Sequence, residues 1–287
     1  MSWFVLALGA GLLSAVNVWT SKVLVTDNLR PVVVGGVVHL WAGLVCLVIL
    51  PLAGYIVPLR GSLEPLILLA VLAMGAVYVL ANSLYFSALK QAELSEIDLF
   101  LRTSSLWTFI LGVVLLSEPA GPRTALGAAL VIGSVLLLSN QQKGLLFNRA
   151  QLLALGAALA FAAGNVIDKV LSPAFDALSY TTLNLLLTGA GMLLIARAKK
   201  SEIVASELRG GVALTVAATF ALTQLLIILA FAAGGSAGEV ILVAQVRLLI
   251  LLTVGIVLLK ERQRMGRKAV AALLMLAGIA ALYGLGA

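Results

Sequence analysis

From Pro31 to Val57 the chain carries no Asp, Glu, Lys or Arg. About 20 such residues in a helix cross the hydrocarbon core of a bilayer. Comparable apolar runs recur between charged, Gly or Pro punctuation. They predict ten helices, at 2–24, 31–57, 64–89, 95–117, 122–139, 149–171, 175–197, 210–233, 237–259 and 266–285. Pro31, Pro122 and Pro173 stand near predicted starts, where a missing N–H costs little. Of 287 residues, 62% are hydrophobic and 11% charged, against about 25% charged in ordinary soluble domains. That balance excludes a soluble enzyme, a DNA-binding protein and a disordered chain. It predicts an all-α, multi-pass membrane protein whose obligatory partner is the lipid bilayer; the lack of targeting features points to the cell (inner) membrane. The first run lacks a basic flank and has no clear cleavage site before Lys22, so it reads as a retained helix rather than a signal peptide.

One cysteine, Cys46, excludes an intrachain disulfide and a thiolate cluster, and one histidine, His39, excludes a multi-His metal site. Glu93, Glu96 and Asp98 scatter around a helix with no further oxygen ligands, so no metal is expected there. No GxSxG, HExxH, P-loop or GxGxxG motif occurs, so neither catalytic residues nor a cofactor are predicted. The net charge of +7 sits in short loops, where it orients the chain in the membrane and does not bind nucleic acid.

Two stretches repeat. Leu111-Gly-Val-Val-Leu-Leu-Ser-Glu118 recurs as Val254-Gly-Ile-Val-Leu-Leu-Lys-Glu261, and the same spacing pairs Glu96 with Glu239. At nearly that spacing, Gly9-Ala10 meets Gly156-Ala157, and Lys22-Val23-Leu24 meets Lys169-Val170-Leu171. The order is preserved, which suggests a duplication: residues 1–144 as one five-helix repeat and 145–287 as a second. Five is odd, so the second half enters the membrane inverted. Inverted repeats are a signature of secondary transporters, with the substrate near the midplane between halves.

With Gly112 to Glu118 closing helix four, Gly127 and Gly133 in helix five, Gly255 to Glu261 closing helix nine and Gly278 in helix ten, the chain resembles the drug/metabolite transporter superfamily, EamA type. The resemblance covers nearly the whole length. It implies small organic solutes, namely amino acids, related metabolites or toxic compounds, often exported. A monomer or homodimer is expected. The resemblance also implies both termini inside the cell, often with a basic tail. The charges say otherwise. Odd-numbered loops hold Lys22, Arg30, Lys90, Lys143, Arg149, the cluster Arg197 to Arg209 and the cluster Lys260 to Lys268, while even-numbered loops hold only Arg60, Arg123 and Lys169. The positive-inside rule then puts both termini outside, and the chain ends Tyr283-Gly-Leu-Gly-Ala287 without a basic tail.

Ionisable groups within spans cost about 2.5–3.5 kcal/mol each and need a partner or a cavity. Glu96, Asp98 and Arg102 lie near or within helix four, with Arg102 one turn after Asp98, and Glu239, Gln245 and Arg247 lie in the matching helix nine, with Arg247 about two turns after Glu239. These residues predict a cavity wall of opposed charges, or a structural ion-pair lock. Tyr78, Asn82 and Tyr85 form one polar stripe on helix three, as pathway lining or interhelical glue. Helix one offers Asn17 and Trp19, helix six Asn165, helix four Trp107 and helix eight Gln224 as further substrate contacts. Glu96, Asp168 and Glu239 are candidates for a coupling proton. Against that, Glu96 and Glu239 near helix starts serve equally as caps, and Asp168 as a local partner for lysine. His39 reads as a packing residue, Asn184 and Thr188 as interhelical glue, and Lys22 and Lys169 as snorkelling cations. The function these residues predict is a secondary transporter of a small polar organic solute. The other classes kept open are an intramembrane lipid-acting enzyme, which would lean on His39, and a lipid flippase.

Overall fold

The computed structural model describes residues 2–25, 29–52, 64–91, 94–139, 148–203, 205, 208, 210–247, 249–250 and 265–283. Among them there is no strand. The long helices are α1 (Trp3–Leu24), α2 (Pro31–Leu52), α3 (Pro65–Gln91), α4 (Leu94–Leu116) and α5 (Pro122–Ser139). They continue with α6 (Arg149–Leu171), α7 (Ala177–Ala196), α8 (Gly211–Ala232) and α10 (Met265–Tyr283). Between α8 and α10 lies α9 (Ala237–Val243), which tightens into a 3-10 turn at Ala244–Val246 before helical backbone resumes at Arg247. A single turn of helix at Lys200–Ile203 follows α7.

The starts are chemical. Pro31, Pro65 and Pro122 each open a helix, whereas Pro173 lies in the turn before α7. Asn148 opens α6 with a reciprocal capping box: its side chain accepts from Gln151 N at 2.9 Å, and its own N–H donates to Gln151 Oε1 at 3.0 Å. Asp176 caps α7 through Ser179 N, and Ser236 caps α9 through Glu239 N. α7 stops at Arg197, which takes the left-handed conformation.

Six of these helices are long and apolar enough to cross a membrane (α1, α2, α3, α6, α7 and α8), with shorter apolar stretches at Phe100–Leu116, Ala237–Val246 and Ala269–Leu282. Leu66, Leu72, Val114, Leu194, Ile195 and Leu273 point outward from the bundle, as lipid-facing side chains do. The chain is an all-helical, multi-pass membrane protein. The predicted end of the second helix, residues 53–57, lies outside the described residues, as does most of the predicted ninth helix beyond Ile250.

The packing has a symmetry of its own. α1 packs on α8 as α3 packs on α6; α4 packs on α6 as α9 packs on α1; α2 packs on α8 as α3 packs on α7. The α2–α7 and α5–α10 pairs are self-matching. Exchanging each helix with the one five places away leaves this pattern unchanged. α5 and α10 form a close pair at the edge: a Cβ on Gly278 would lie 2.9 Å from Gly127 O. Ser134 Oγ donates to Ala271 O across the same seam. The other eight helices surround the interior.

Candidate functional site

A cavity of 190 Å³ opens in the middle of the bundle. Its wall draws residues from α1, α2, α3, α4, α6, α7, α8 and the broken α9. Much of the wall is apolar: Val18, Leu101, Phe161, Leu185, Phe220, Ile227 and Ile241. Among the described residues, Arg247 is the one permanently charged side chain that lines it.

Of the residues the sequence singled out, Asn17, Tyr78, Asn82, Tyr85, Asn165, Gln224, Gln245 and Arg247 all line this cavity. Asn17 is also a tie between α1 and α8, its Nδ2 donating to Val216 O at 3.0 Å and Thr219 Oγ1 at 3.1 Å. Asn165 Nδ2 donates to Thr108 Oγ1 at 3.1 Å, joining α6 to α4. Tyr85 stands edge-on to Phe86 and Phe161.

Four expectations land elsewhere. Trp19 is 63% exposed and points away from the cavity, two residues along the helix from the inward Asn17. At about 100° per residue that separation turns a side chain to the opposite face. Arg102 and Trp107 are on α4 but outside the wall, where Leu101 and Ser104 take the lining positions. Glu239 sits in the first turn of α9, where its Oε2 accepts from Ser236 Oγ at 3.0 Å. The side chains of Glu96 and Asp98 lie outside the described residues.

The cavity also recruits residues not taken as site residues: Ser14, His39, Ser104, Asn184 and Thr223. His39 is 1% exposed, with Nδ1 2.7 Å from Gly35 O. A carbonyl only accepts, so Nδ1 carries the hydrogen, and in the neutral ring Nε2 then keeps its lone pair. The lone histidine of a helix marks itself in the sequence, but its direction does not. Several lining residues hold buried polar atoms that have no hydrogen-bond partner among the described residues. These are His39 Nε2, Asn82 Oδ1, Thr223 Oγ1, Gln245 Oε1 and Arg247 Nε. Buried polar atoms are normally satisfied, so each of these keeps hydrogen-bonding capacity that the described groups leave unused.

Arg247 follows the 3-10 turn of α9, and Gln245 lies within it. Mid-helix 3-10 stretches have poorer hydrogen-bond geometry and often mark a functional hinge. α1 comes unusually close here: a Cβ on Gly11 would lie 2.5 Å from Val246 Cγ1 and 2.6 Å from Ala244 O. Only glycine permits that approach. At the end where α9 begins, Glu118 reaches across from the α4–α5 connection. Its carboxylate accepts from Ala237 N at 2.6 Å and Gly238 N at 3.3 Å, covering the free N–H groups of α9. Gly112 leaves room for that carboxylate, because a Cβ there would collide with Glu118 Oε2. Lys169 closes the same end by donating to Phe231 O and Gly235 O.

Behind the wall is Asp168, fully buried on α6. Tyr78 and Tyr180 donate to its two oxygens at 2.6 Å each, Gln224 Nε2 donates at 2.9 Å, and Asn184 Nδ2 stands at 3.5 Å. Of the two readings the sequence left open, a proton carrier or a local partner for lysine, the lysine pair is absent among the described residues: its partners are neutral groups from α3, α7 and α8.

The fold and cavity are those of a helical membrane protein with a central solute-sized chamber. Residues 1–140 match the model of the EamA-like transporter family, so the resemblance read from the sequence holds over the first five helices. That family is one of membrane transporters. No curated protein matches the chain. Among solved structures 29 chains match. One of them, described simply as the crystal structure of a protein, is 16% identical and superposes with a TM-score of 0.69, covering 99% of this chain and 95% of its own. At that identity the likeness is one of fold.

Proposed function

We propose that the chain is a secondary transporter that exports a small carboxylate-bearing organic solute, an amino acid or a related metabolite, across the plasma (inner) membrane. It works by alternating access between the repeats 1–144 and 145–287, as a monomer or homodimer, without a cofactor. The observation that carries this reading is Arg247: a guanidinium on the wall of a central, largely apolar cavity, with Nε unpartnered and no ion pair among the described residues. A cation so placed is costly unless a ligand answers it, and a carboxylate matches the guanidinium fork. The lone pairs at His39 Nε2 and Gln245 Oε1 suit the N–H groups of an ammonium at the solute's other end. Phe161 and Phe220 line the same cavity and suit an apolar side chain on the solute. The symmetric helix pairing supports rocking of one half against the other around this site.

The test is counterflow of radiolabelled amino acids in liposomes containing the purified protein, with Arg247→Ala and Arg247→Lys beside the parent. A hydrogen bond to a charged group is worth about 1.5–3 kcal/mol. At about 1.4 kcal/mol per tenfold, Arg247→Ala should raise the half-saturation concentration roughly 10- to 150-fold. Arg247→Lys should recover part of that loss. Saturable flux with an unchanged half-saturation in Arg247→Ala would overturn the assignment.

A further inference from the structure

We propose that Asp168 is the proton-binding group of this carrier, and that the side-chain amide of Gln224 turns over when the proton binds. Protonation thereby changes the cavity wall from hydrogen-bond acceptor to hydrogen-bond donor. The solute half of the argument rests on the function proposed above; the proton half does not.

The starting point is the composition of the cluster. A buried charge is ordinarily matched by an opposite one. Asp168 is 0% exposed, and each of its hydrogen-bond partners is neutral. Among the described residues, the titratable groups facing it are Tyr78 from α3 and Tyr180 from α7, while α8 presents Gln224. α4 meets α6 at this depth through neutral Thr108. The charged groups at the adjoining ends have other work: Lys169 holds Phe231 O and Gly235 O, Glu118 holds the first N–H groups of α9, and Glu239 holds Ser236. From α9, Arg247 lines the cavity itself.

An ionised carboxylate can only accept. Every group around Asp168 therefore presents a donor, and the orientation of Gln224 is forced: Nε2 to Asp168, Oε1 left on the side of the cavity that Gln224 lines. Once protonated, the acid must donate one hydrogen bond. Asn184 is poorly placed to receive it, since its amide stands 3.5 Å from the carboxylate where Gln224 stands at 2.9 Å, and a half-turn would take its Oδ1 from Thr188 Oγ1. A tyrosine hydroxyl that accepted would have to find another acceptor for its own proton. Gln224 exchanges donor for acceptor in place, by a half-turn of its amide. Oε1 then takes the Asp168 proton, and Nε2 faces the cavity.

The chemical consequence is competition. With Asp168 ionised, the wall offers Gln224 Oε1 beside the lone pairs of Asn82 and Gln245, and the carboxylate behind it attracts an ammonium group. With Asp168 protonated, the negative charge is gone and an N–H confronts the ammonium. Proton and amino-bearing solute thus occupy the carrier alternately, so entry of a proton drives exit of the solute. Linkage is reciprocal: solute binding must release the proton.

Two measurements on the full chain in liposomes test this. The first needs no solute: infrared difference spectra recorded across pH steps. They should show a carboxyl band and a side-chain amide change titrating together, both lost in Asp168→Asn. The amide change alone should be lost in Gln224→Leu, which keeps the proof available if Asp168→Asn fails to fold. A carboxyl band that persists in Asp168→Asn, or an amide change indifferent to Asp168, overturns the proposal. The second is equilibrium binding of a labelled amino acid against pH. Affinity should fall up to about tenfold per pH unit below the titration point in the parent, and become flat in Asp168→Asn. Arg247-dependent flux with pH-flat affinity in the parent would sink the proton switch alone. The expected infrared titration with no amino acid bound at any pH would sink the solute reading alone.

Discussion

Replacing Glu118 by alanine should loosen the contact between the first half of the chain and α9. The carboxylate carries a short bond to Ala237 N and a longer one to Gly238 N, at 2.6 and 3.3 Å. Ala237 and Gly238 are buried, so water cannot readily replace the lost acceptor. Losing a helix cap costs about 1 kcal/mol, and losing a negative charge at a helix N-terminus costs about 0.3–1 kcal/mol more. One buried N–H left unmet adds at least about 1 kcal/mol. The total is about 2–3 kcal/mol. At about 2 °C per kcal/mol for a chain of this size, the melting temperature should drop by roughly 4–6 °C. Glu118→Gln keeps an oxygen for Ala237 and should lose about half as much. Gly112→Ala pushes the Glu118 carboxylate off its seat, so it should reproduce part of the loss, and the double variant should melt no lower than Glu118→Ala alone. The assay is thermal unfolding of the purified protein in one detergent, followed by tryptophan fluorescence. If Glu118→Ala melts within about 1 °C of the parent, the cap is not holding α9.

Two further outcomes are expected. Gly11→Ala forces α1 away from the 3-10 turn of α9, since Ala244 O is backbone and cannot rotate aside; overpacking of this kind costs about 1–3 kcal/mol and should show as both a lower melting temperature and a loss of flux. Full flux in this variant would mean that the close approach is dispensable. Trp19→Ala, on the lipid-facing side of α1, should leave the half-saturation concentration within about twofold of the parent; a large change would return Trp19 to the site.

The cavity explains why polar residues in this chain divide so unevenly by role. Asn17 and Asn165 line it and also brace neighbouring helices, so their loss would mix binding with stability. Arg247 and His39 carry atoms with no partner among the described residues, so their substitution reports binding more directly.

Within the described residues, the helices themselves were legible in the sequence. Each apolar run is a local property, and its bounds are set by nearby Pro, Asn, Asp, Ser or Gly; the 149–171 run is bounded in the structure by the Asn148 capping box and the Ser172 turn. The polar stripe Tyr78, Asn82 and Tyr85 was legible for the same reason, because helical periodicity alone puts those residues on one face. What the sequence left open is which face of each helix turns inward. A helix in a membrane has apolar neighbours on both sides, lipid outside and protein inside, so hydrophobicity does not set its rotation. That is why Asn17 and Trp19 look equivalent in the sequence, and why His39 and Asn184 read as packing residues. It is also why Asp168 read either as a proton carrier or as a local partner for lysine. Sequence proximity offered the lysine; the tertiary structure instead sent Lys169 to the carbonyls ending α8 and brought Tyr78, Tyr180 and Gln224 to the carboxylate from three other helices. Composition and periodicity determined a helical membrane protein. Only helix rotation and contact between distant segments decided which polar atoms meet in its interior, because those depend on packing that no single stretch of the chain encodes.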